Sequence, residues 1–154
     1  MYTNIEELNT KAAELLVNKN YDGIRELAKE NGIDTEDAED YIDGVINILA
    51  TPLTAAYGKL DLEEKDLKLS GLLKDWKVYI ALLCSEDTAV CEAVLSKDMA
   101  GCMGKILKHS FDTKEKVSDR ICKAAGLRDD VYMGIPSAAD VKKIIREYYL
   151  GGKQ

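Results

Sequence analysis

Four cysteines and one histidine are the side chains of this sequence that most readily do chemistry. No two cysteines have the gap of roughly two to four residues that zinc-binding and redox motifs use. The single histidine, His109, follows Cys102 by seven residues. On a helix, that spacing separates two side chains by about 10 Å along the axis, which is too far for the imidazole to activate the thiol directly. The cysteines are Cys84, Cys91, Cys102 and Cys122.

This spacing favours buried small side chains over a reactive or metal-binding group, because a thiol in a reducing compartment behaves as a small hydrophobe. A disulfide or a metal site is the alternative. We expect no catalytic residue and no metal-binding residue in the chain, and we expect the protein not to be an enzyme.

Gly101 and Gly104, followed by Lys105, weakly suggest a phosphate-binding loop. A Walker loop has the longer spacing GxxxxGK[ST] and follows a buried strand, and the sequence meets neither condition. Small residues at this spacing more often let two helices approach each other closely. We therefore expect no bound nucleotide and no other cofactor.

Helices are the elements predicted to carry these residues. Apolar residues recur at helical spacing through most of the 154 residues, and no segment alternates convincingly at the period of a strand. The sequence predicts an all-α fold, a single compact bundle of about seven to nine short helices over residues 1–154. A chain of this length buries a sufficient core without metal or disulfide. Helix starts are predicted near Thr3 or Asn4, and near Tyr21, Asp34, Leu72, Ser85, Asp98, Asp112 and Ser137. Pro52 either kinks the third helix or starts a new one.

The sequence makes a more detailed prediction for two segments. Residues 60–71, LDLEEKDLKLSG, form a charged connector that we interpret as a hinge. Asp112 with Glu115 matches a capping box for a helix that Gly126 ends. The connector separates an acidic helical half, about residues 1–70, from a second helical half, about residues 72–150.

Charge is distributed unevenly between the two parts of the chain. The net charge of the whole chain is −7, but residues 1–92 carry a net charge of −11 and residues 93–154 a net charge of +4. The two parts therefore offer different surfaces to a partner.

The helix predicted from Asp34 through Tyr41 to Leu49 carries an acidic face. With the preceding helix it matches a helix-turn-helix pattern, but no basic residue lies between Glu30 and Asp43, and DNA would repel it. Such a face is often only solvated. The more specific hypothesis is that it binds a basic groove on a protein, because complementary charge accelerates encounter. The predicted partner-binding residues of this acidic face are Asp34, Glu36, Asp37, Glu39, Asp40 and Asp43.

A basic face in the second half is the alternative binding site. Its side chains could contact the phosphates of a nucleic acid. Phe111 and Tyr132 are the only aromatic residues nearby, which is few for stacking single strands. The residues of this basic face are Lys97, Lys105, Lys108, Lys114, Lys116, Arg120 and Lys123.

One succession of residues resembles a known family. It resembles the PcfK-like proteins of conjugative plasmids and phages, a family that includes inhibitors of the type II CRISPR nuclease Cas9. The likeness covers about residues 74–150. In the family, a Cys-Glu pair on one helix leads to a lysine and a Gly-Cys pair on the next helix, and a tyrosine-rich helix closes the chain. The residues that carry the likeness are Asp87, Cys91, Glu92, Lys97, Gly101, Cys102, Ile106, Tyr148 and Tyr149.

The resemblance implies a small protein of a mobile genetic element that acts by binding. The leading hypothesis is non-enzymatic inhibition of a CRISPR effector nuclease such as Cas9, whose nucleic-acid channels are positively charged. The alternative hypothesis is a nucleic-acid-binding accessory protein of conjugation or phage replication. The chain has no run of about 18 apolar residues and no secretion signal, so we expect a protein of the bacterial cytoplasm that does not bind membranes.

Overall fold

Helices make up most of the protein, whose structure is a computed structural model that describes residues 1–151. Over these residues the all-α prediction is confirmed, with nine helices and one two-stranded antiparallel sheet. The helices are α1 (Ile5–Val17), α2 (Tyr21–Glu30), α3 (Thr35–Ile42), α4 (Pro52–Asp66), α5 (Leu72–Glu86), α6 (Thr88–Ser96), α7 (Met99–Asp112), α8 (Asp119–Ala124) and α9 (Ala138–Leu150), and the strands are β1 (Glu115–Lys116) and β2 (Tyr132–Met133).

Capping side chains start several helices where the sequence predicts them. Asn4, Asp34 and Asp98 each accept a hydrogen bond from a backbone N–H group in the first turn of α1, α3 and α7. Ser137 and Asp140 form a reciprocal capping box at the start of α9. These contacts satisfy N–H groups that have no partner within the helix.

Two hydrophobic clusters pack the helices together. The first cluster joins α1, α2 and α3, and it includes Ala55 of α4 and Leu95 of α6. The second cluster joins α4, α5, α6, α7 and α9, and its α4 members are Ala56 and Leu60. Because α4 and α6 contribute side chains to both clusters, the two halves of the chain share these helices as a common support.

Helix α3 is shorter than the sequence predicts. Gly44 has φ of +75°, in the left-handed region that favours glycine, and the N–H group of Val45 donates to the carbonyl of Asp40. This geometry closes the helix end, so the predicted continuation to Leu49 is wrong. Val45 and Ile48, whose spacing suggested burial, are 70% and 47% exposed.

The connector predicted over residues 60–71 is helical in its first seven residues, because α4 continues to residue 66. Leu60 is fully buried, and Lys77 of α5 bonds to the carboxylates of both Asp61 and Glu64. The acidic residues that suggested a solvated linker instead bind α5 to α4. Residues 60–66 thus belong to α4, and the hinge stays a prediction for residues 67–71.

The predicted capping box of Asp112 and Glu115 is also wrong. Asp112 is the last residue of α7, and Glu115 lies in β1, where it pairs with Met133 of β2. The backbone groups of β1 pair with those of β2 and therefore cannot form the hydrogen bonds of a helix. Helix α8 begins only at residue 119. Gly126 follows the end of this helix, as the sequence predicts.

A buried lysine of α4 links the end of α6 to the start of α7. The Nζ atom of Lys59 on α4 donates to the carbonyls of Val94 and Lys97 at the end of α6, at 2.8 and 2.5 Å. It also lies 3.2 Å from a carboxylate oxygen of Glu63, which accepts a hydrogen bond from the N–H group of Met99 at the start of α7. A cation thus lies at a helix C-terminus and an anion at a helix N-terminus, the arrangement that helix dipoles favour.

Two glycines allow α4 to approach the turn before α3. A Cβ atom on Gly58 would lie 2.5 Å from the carbonyl oxygen of Asn31 and 2.6 Å from that of Gly32. Gly32 has φ of +70°, so both its conformation and this contact favour glycine. The backbones therefore touch directly, and this contact sets the position of α3 relative to α4.

Substituting Gly58→Ala should destabilise the protein by about 1–3 kcal/mol, because the backbone of the facing turn must move to admit the methyl group. A matched control is Gly104→Ala, also within a helix but with open space around the added atom. It should stabilise the protein by about 0.5–1 kcal/mol. Urea denaturation followed by circular dichroism measures both, and equal shifts of the two variants in one direction would contradict the close contact.

Candidate protein-binding surfaces

The four cysteines lie inside the fold as free thiols. Burial raises the pKa of Cys84 and of Cys102 to about 12, and it also raises the pKa of Cys91. The Cys91 thiol donates to the carbonyl of Cys84 at 3.0 Å. Thiols with raised pKa values remain protonated near neutral pH, whereas a nucleophilic or metal-binding cysteine needs a lowered pKa.

Cys102 and His109 both lie on α7 but in different environments, since Cys102 is fully buried and His109 is half-buried. Over residues 1–151 no group of three or more histidine, cysteine or acidic side chains is arranged to hold a metal ion. Gly101 lies against the Tyr148 side chain, whose hydroxyl donates to the carbonyl of Asp98. This glycine therefore serves the packing of α7 on α9.

The acidic face is held in place by contacts on the buried side of α3. Ala38 and Tyr41 are buried in the first cluster. Glu39 accepts two hydrogen bonds from the guanidinium of Arg25 on α2, at 2.6 and 2.9 Å, and this contact lowers the pKa of Glu39. Asp34 caps the helix. Two of the six predicted residues thus have structural partners within the fold.

The other four acidic residues are at least partly accessible to solvent. Glu36 and Asp43 are exposed, and Asp37 and Asp40 are half-buried. None of the four forms an ion pair with another residue that the structure describes. Their charges remain available to a partner on a helix whose position is set by Arg25 and by the first cluster.

Lys97 does not belong to an exposed basic face. Its Nζ atom donates to the carbonyls of Tyr148 and Tyr149 at 2.6 and 3.0 Å, at the end of α9. The ammonium also lies 5.4 Å from the centre of the Tyr148 ring, within the range of a cation–π interaction. Lys97 therefore caps a helix C-terminus.

The remaining basic residues divide into two groups. Lys108 pairs with Asp112 at 2.7 Å, and Lys116 pairs with Asp119 and Asp130 at 3.2 and 3.0 Å. Lys114 lies over the ring of Phe111. The second group is exposed and forms no ion pair with any residue from 1 to 151, and it consists of Lys105, Arg120 and Lys123.

Seven large apolar side chains on the same segment as these basic residues are each 50–66% exposed. Their exposure does not follow from the sequence, because a helical spacing such as that of Leu107 and Phe111 normally indicates burial. Whether another element covers such a side chain is set by tertiary packing. These side chains, here named the exposed apolar residues, are Leu107, Phe111, Ile121, Leu127, Tyr132, Met133 and Ile135.

Comparisons of the chain with protein-family models, with curated proteins and with solved structures return no match. Within the described part of the chain, no helix is both long enough and apolar enough to span a membrane.

Thiol reactivity tests the burial of the cysteines. In the folded protein at pH 8, iodoacetamide should modify Cys84, Cys91 and Cys102 at least about a hundredfold more slowly than a model thiol, because burial both shields the sulfur and keeps it protonated. In guanidinium chloride all four cysteines should react at the rate of the model thiol. Mass spectrometry of the digested protein assigns each site. A fast-reacting Cys102 in the folded protein would contradict this account.

Proposed function

We propose that the protein is a non-enzymatic inhibitor encoded by a mobile genetic element, which binds a CRISPR effector nuclease such as Cas9 through its acidic face. The observation that carries the proposal is the set of four acidic side chains on α3 and at its C-terminal end that form no ion pair with any residue from 1 to 151. The choice of nuclease follows from the resemblance of residues 74–150 to the PcfK-like proteins. These four residues are Glu36, Asp37, Asp40 and Asp43.

Charge supports a basic protein groove as the partner. Residues 21–50 carry nine acidic and two basic side chains, a net charge of −7. A nuclease that holds guide and target strands has a positively charged channel. An acidic helix in such a channel would accelerate encounter and compete with the phosphates of the natural ligand.

The fixed position of α3 in the fold supports the same proposal. Tyr41 packs in the first cluster, and the Arg25–Glu39 contact ties α3 to α2. A surface that is already ordered loses little conformational entropy on binding, so more of the interaction free energy appears as affinity. The acidic face therefore needs no folding transition to engage a groove.

A second candidate function is nucleic-acid binding by an accessory protein of conjugation or phage replication. The observation that favours it is that Lys105, Arg120 and Lys123 are exposed without an ion pair in the described part of the chain. A complex that depends on phosphate contacts weakens steeply with salt. A gel shift at two salt concentrations distinguishes this function, since the proposed inhibitor should bind the nuclease and leave free DNA unshifted.

The triple variant Glu36→Lys, Asp40→Lys, Asp43→Lys should weaken binding to guide-loaded Cas9 by at least about thirtyfold, because like charges facing each other across an interface cost several kcal/mol. Inhibition of DNA cleavage should weaken in parallel. Glu39 is left unchanged because it pairs with Arg25. Biolayer interferometry and a titrated cleavage assay measure the two effects.

A control with the same change of net charge is Asp66→Lys, Glu92→Lys, Asp129→Lys, whose three residues are exposed and lie outside α3. It should bind and inhibit as the unsubstituted protein does. Circular dichroism checks that both variants fold. Equal loss in the two variants would indicate a general charge effect, and an unaffected nuclease in the presence of the unsubstituted protein would reject the proposed function itself.

A further inference from the structure

Two exposed aliphatic side chains, Val45 and Ile48, follow the acidic face directly, and the proposed function leaves them unused. They lie on the connection between α3 and α4, where Val45 is 70% exposed and Ile48 is 47% exposed. Single exposed apolar residues are ordinary on protein surfaces. These two differ from the others because hydrogen bonds and packing hold their segment at the end of a charged surface.

The first part of the connection is fixed to α3. The N–H groups of Val45 and Ile46 both donate to the carbonyl of Asp40, at 2.8 and 3.3 Å. Gly44 permits this reversal of the chain, because its φ of +75° lies in the left-handed region. The backbone of Val45 is therefore within hydrogen-bond distance of the last turn of α3, beside Asp40 and Asp43.

The last part of the connection is fixed to α1. The side-chain amide of Asn9 donates to the carbonyl of Ala50 at 2.8 Å, and its oxygen accepts from the N–H group of Ala50 at 3.1 Å. Between these two anchored ends, Leu49 is buried in the first cluster and Ile46 packs against it. The segment is thus held in one conformation, in which the two aliphatic side chains stay accessible.

Charge selects the partner of this surface. Residues 34–50 carry six acidic side chains and no basic one, a net charge of −6, and the next basic residue along the chain is Lys59. A second copy that offered the same surface would be repelled, whereas a basic partner would be attracted. Two aliphatic side chains beside these acids complement an apolar pocket next to basic groups. Protein interfaces commonly have such a construction, with an apolar core inside a polar rim.

We propose that Val45 and Ile48 are apolar anchors of the interface formed by the acidic face, and that they insert into an apolar pocket beside the basic groove of the partner protein. The inference rests on the proposed function, since it uses the same surface and the same partner. The acidic side chains accelerate association, and the two anchors slow dissociation. Because their segment is already ordered, the anchors lose little conformational entropy on binding.

The test separates the two rate constants of binding to guide-loaded Cas9. In the anchor variant, Val45→Ser with Ile48→Ser, the dissociation rate constant should rise at least about tenfold, because two aliphatic side chains buried at the interface become smaller and polar. The association rate constant and its dependence on salt should change less than about twofold. Val45→Ser alone, at the more exposed position, should raise the dissociation rate constant at least about threefold. Biolayer interferometry at two salt concentrations measures both constants.

A charge variant should show the opposite pattern. Glu36→Gln with Asp43→Asn removes two exposed carboxylates and leaves the anchors in place. Association at low salt should slow at least about threefold, because electrostatic attraction of the basic partner is weaker. The dissociation rate constant should change less than about twofold.

A matched control carries the same two replacements elsewhere on the surface. Val78→Ser with Ile121→Ser changes a valine and an isoleucine that are 62% and 61% exposed, on α5 and α8. Both rate constants should equal those of the unsubstituted protein. A conservative variant, Val45→Ile with Ile48→Val, keeps the apolar character and should retain slow dissociation. Circular dichroism and urea denaturation verify that all variants fold with the same stability.

The outcomes distinguish this inference from the proposed function. Dissociation of the anchor variant at the rate of the unsubstituted protein would overturn the inference and leave the proposed function intact. Slower association without faster dissociation, or equal acceleration of dissociation in the matched control, would overturn it as well. Absence of any binding by the unsubstituted protein would reject the proposed function, and the inference with it.

Discussion

The buried ammonium of Lys59 is the interaction on which the arrangement of the helices depends. It donates to two carbonyls at the end of α6 and contacts Glu63, which in turn accepts from the first N–H group of α7. Lys97, one of the residues whose carbonyl it binds, donates its own ammonium to the end of α9. Two lysines and one glutamate therefore satisfy backbone groups that the termini of three helices leave unpaired. A charge buried in this way is stable only while all of its partners are present, so these helix ends are fixed together.

This junction also sets where the acidic face lies. Helix α4 carries Lys59, supplies Ala55 to the first cluster, and at Gly58 touches the turn that precedes α3. The basic residues that remain exposed and the exposed apolar residues follow the α6–α7 turn in sequence, on α7, on α8, on β2 and in the loops beside them. The fold thus keeps surfaces of opposite charge on separate helices, while the thiols that are most capable of chemistry stay buried and protonated. Exposed charged surfaces together with buried, unreactive thiols suit a protein that acts by binding, and we therefore propose a binding function.

Much of the fold is predictable from the sequence, because helical spacing and capping residues are local signals. Asn4, Asp34, Asp98 and Ser137 begin helices as predicted. The predictions that the structure contradicts concern residues whose contacts depend on tertiary packing. The acidic residues of 60–71 suggested a solvated connector, yet Lys77 binds two of them from another helix. The sequence predicts Lys97 as a member of the basic face. Its capping of a helix C-terminus depends on the position of α9, which local sequence signals do not give. The acidic character of α3 follows from the sequence, whereas the half-burial of Asp37 and Asp40, the pairing of Glu39 with Arg25 and the exposure of the exposed apolar residues require the packed structure.

We propose that α3 presents a preformed acidic surface to a basic protein partner. Hydrogen–deuterium exchange of the protein with and without guide-loaded Cas9 is the decisive measurement. Backbone amides in residues 34–48 should exchange more slowly when the nuclease is present, and exchange in residues 105–135 should not change. Protection confined to residues 105–135, or no protection anywhere at saturating nuclease, would contradict it.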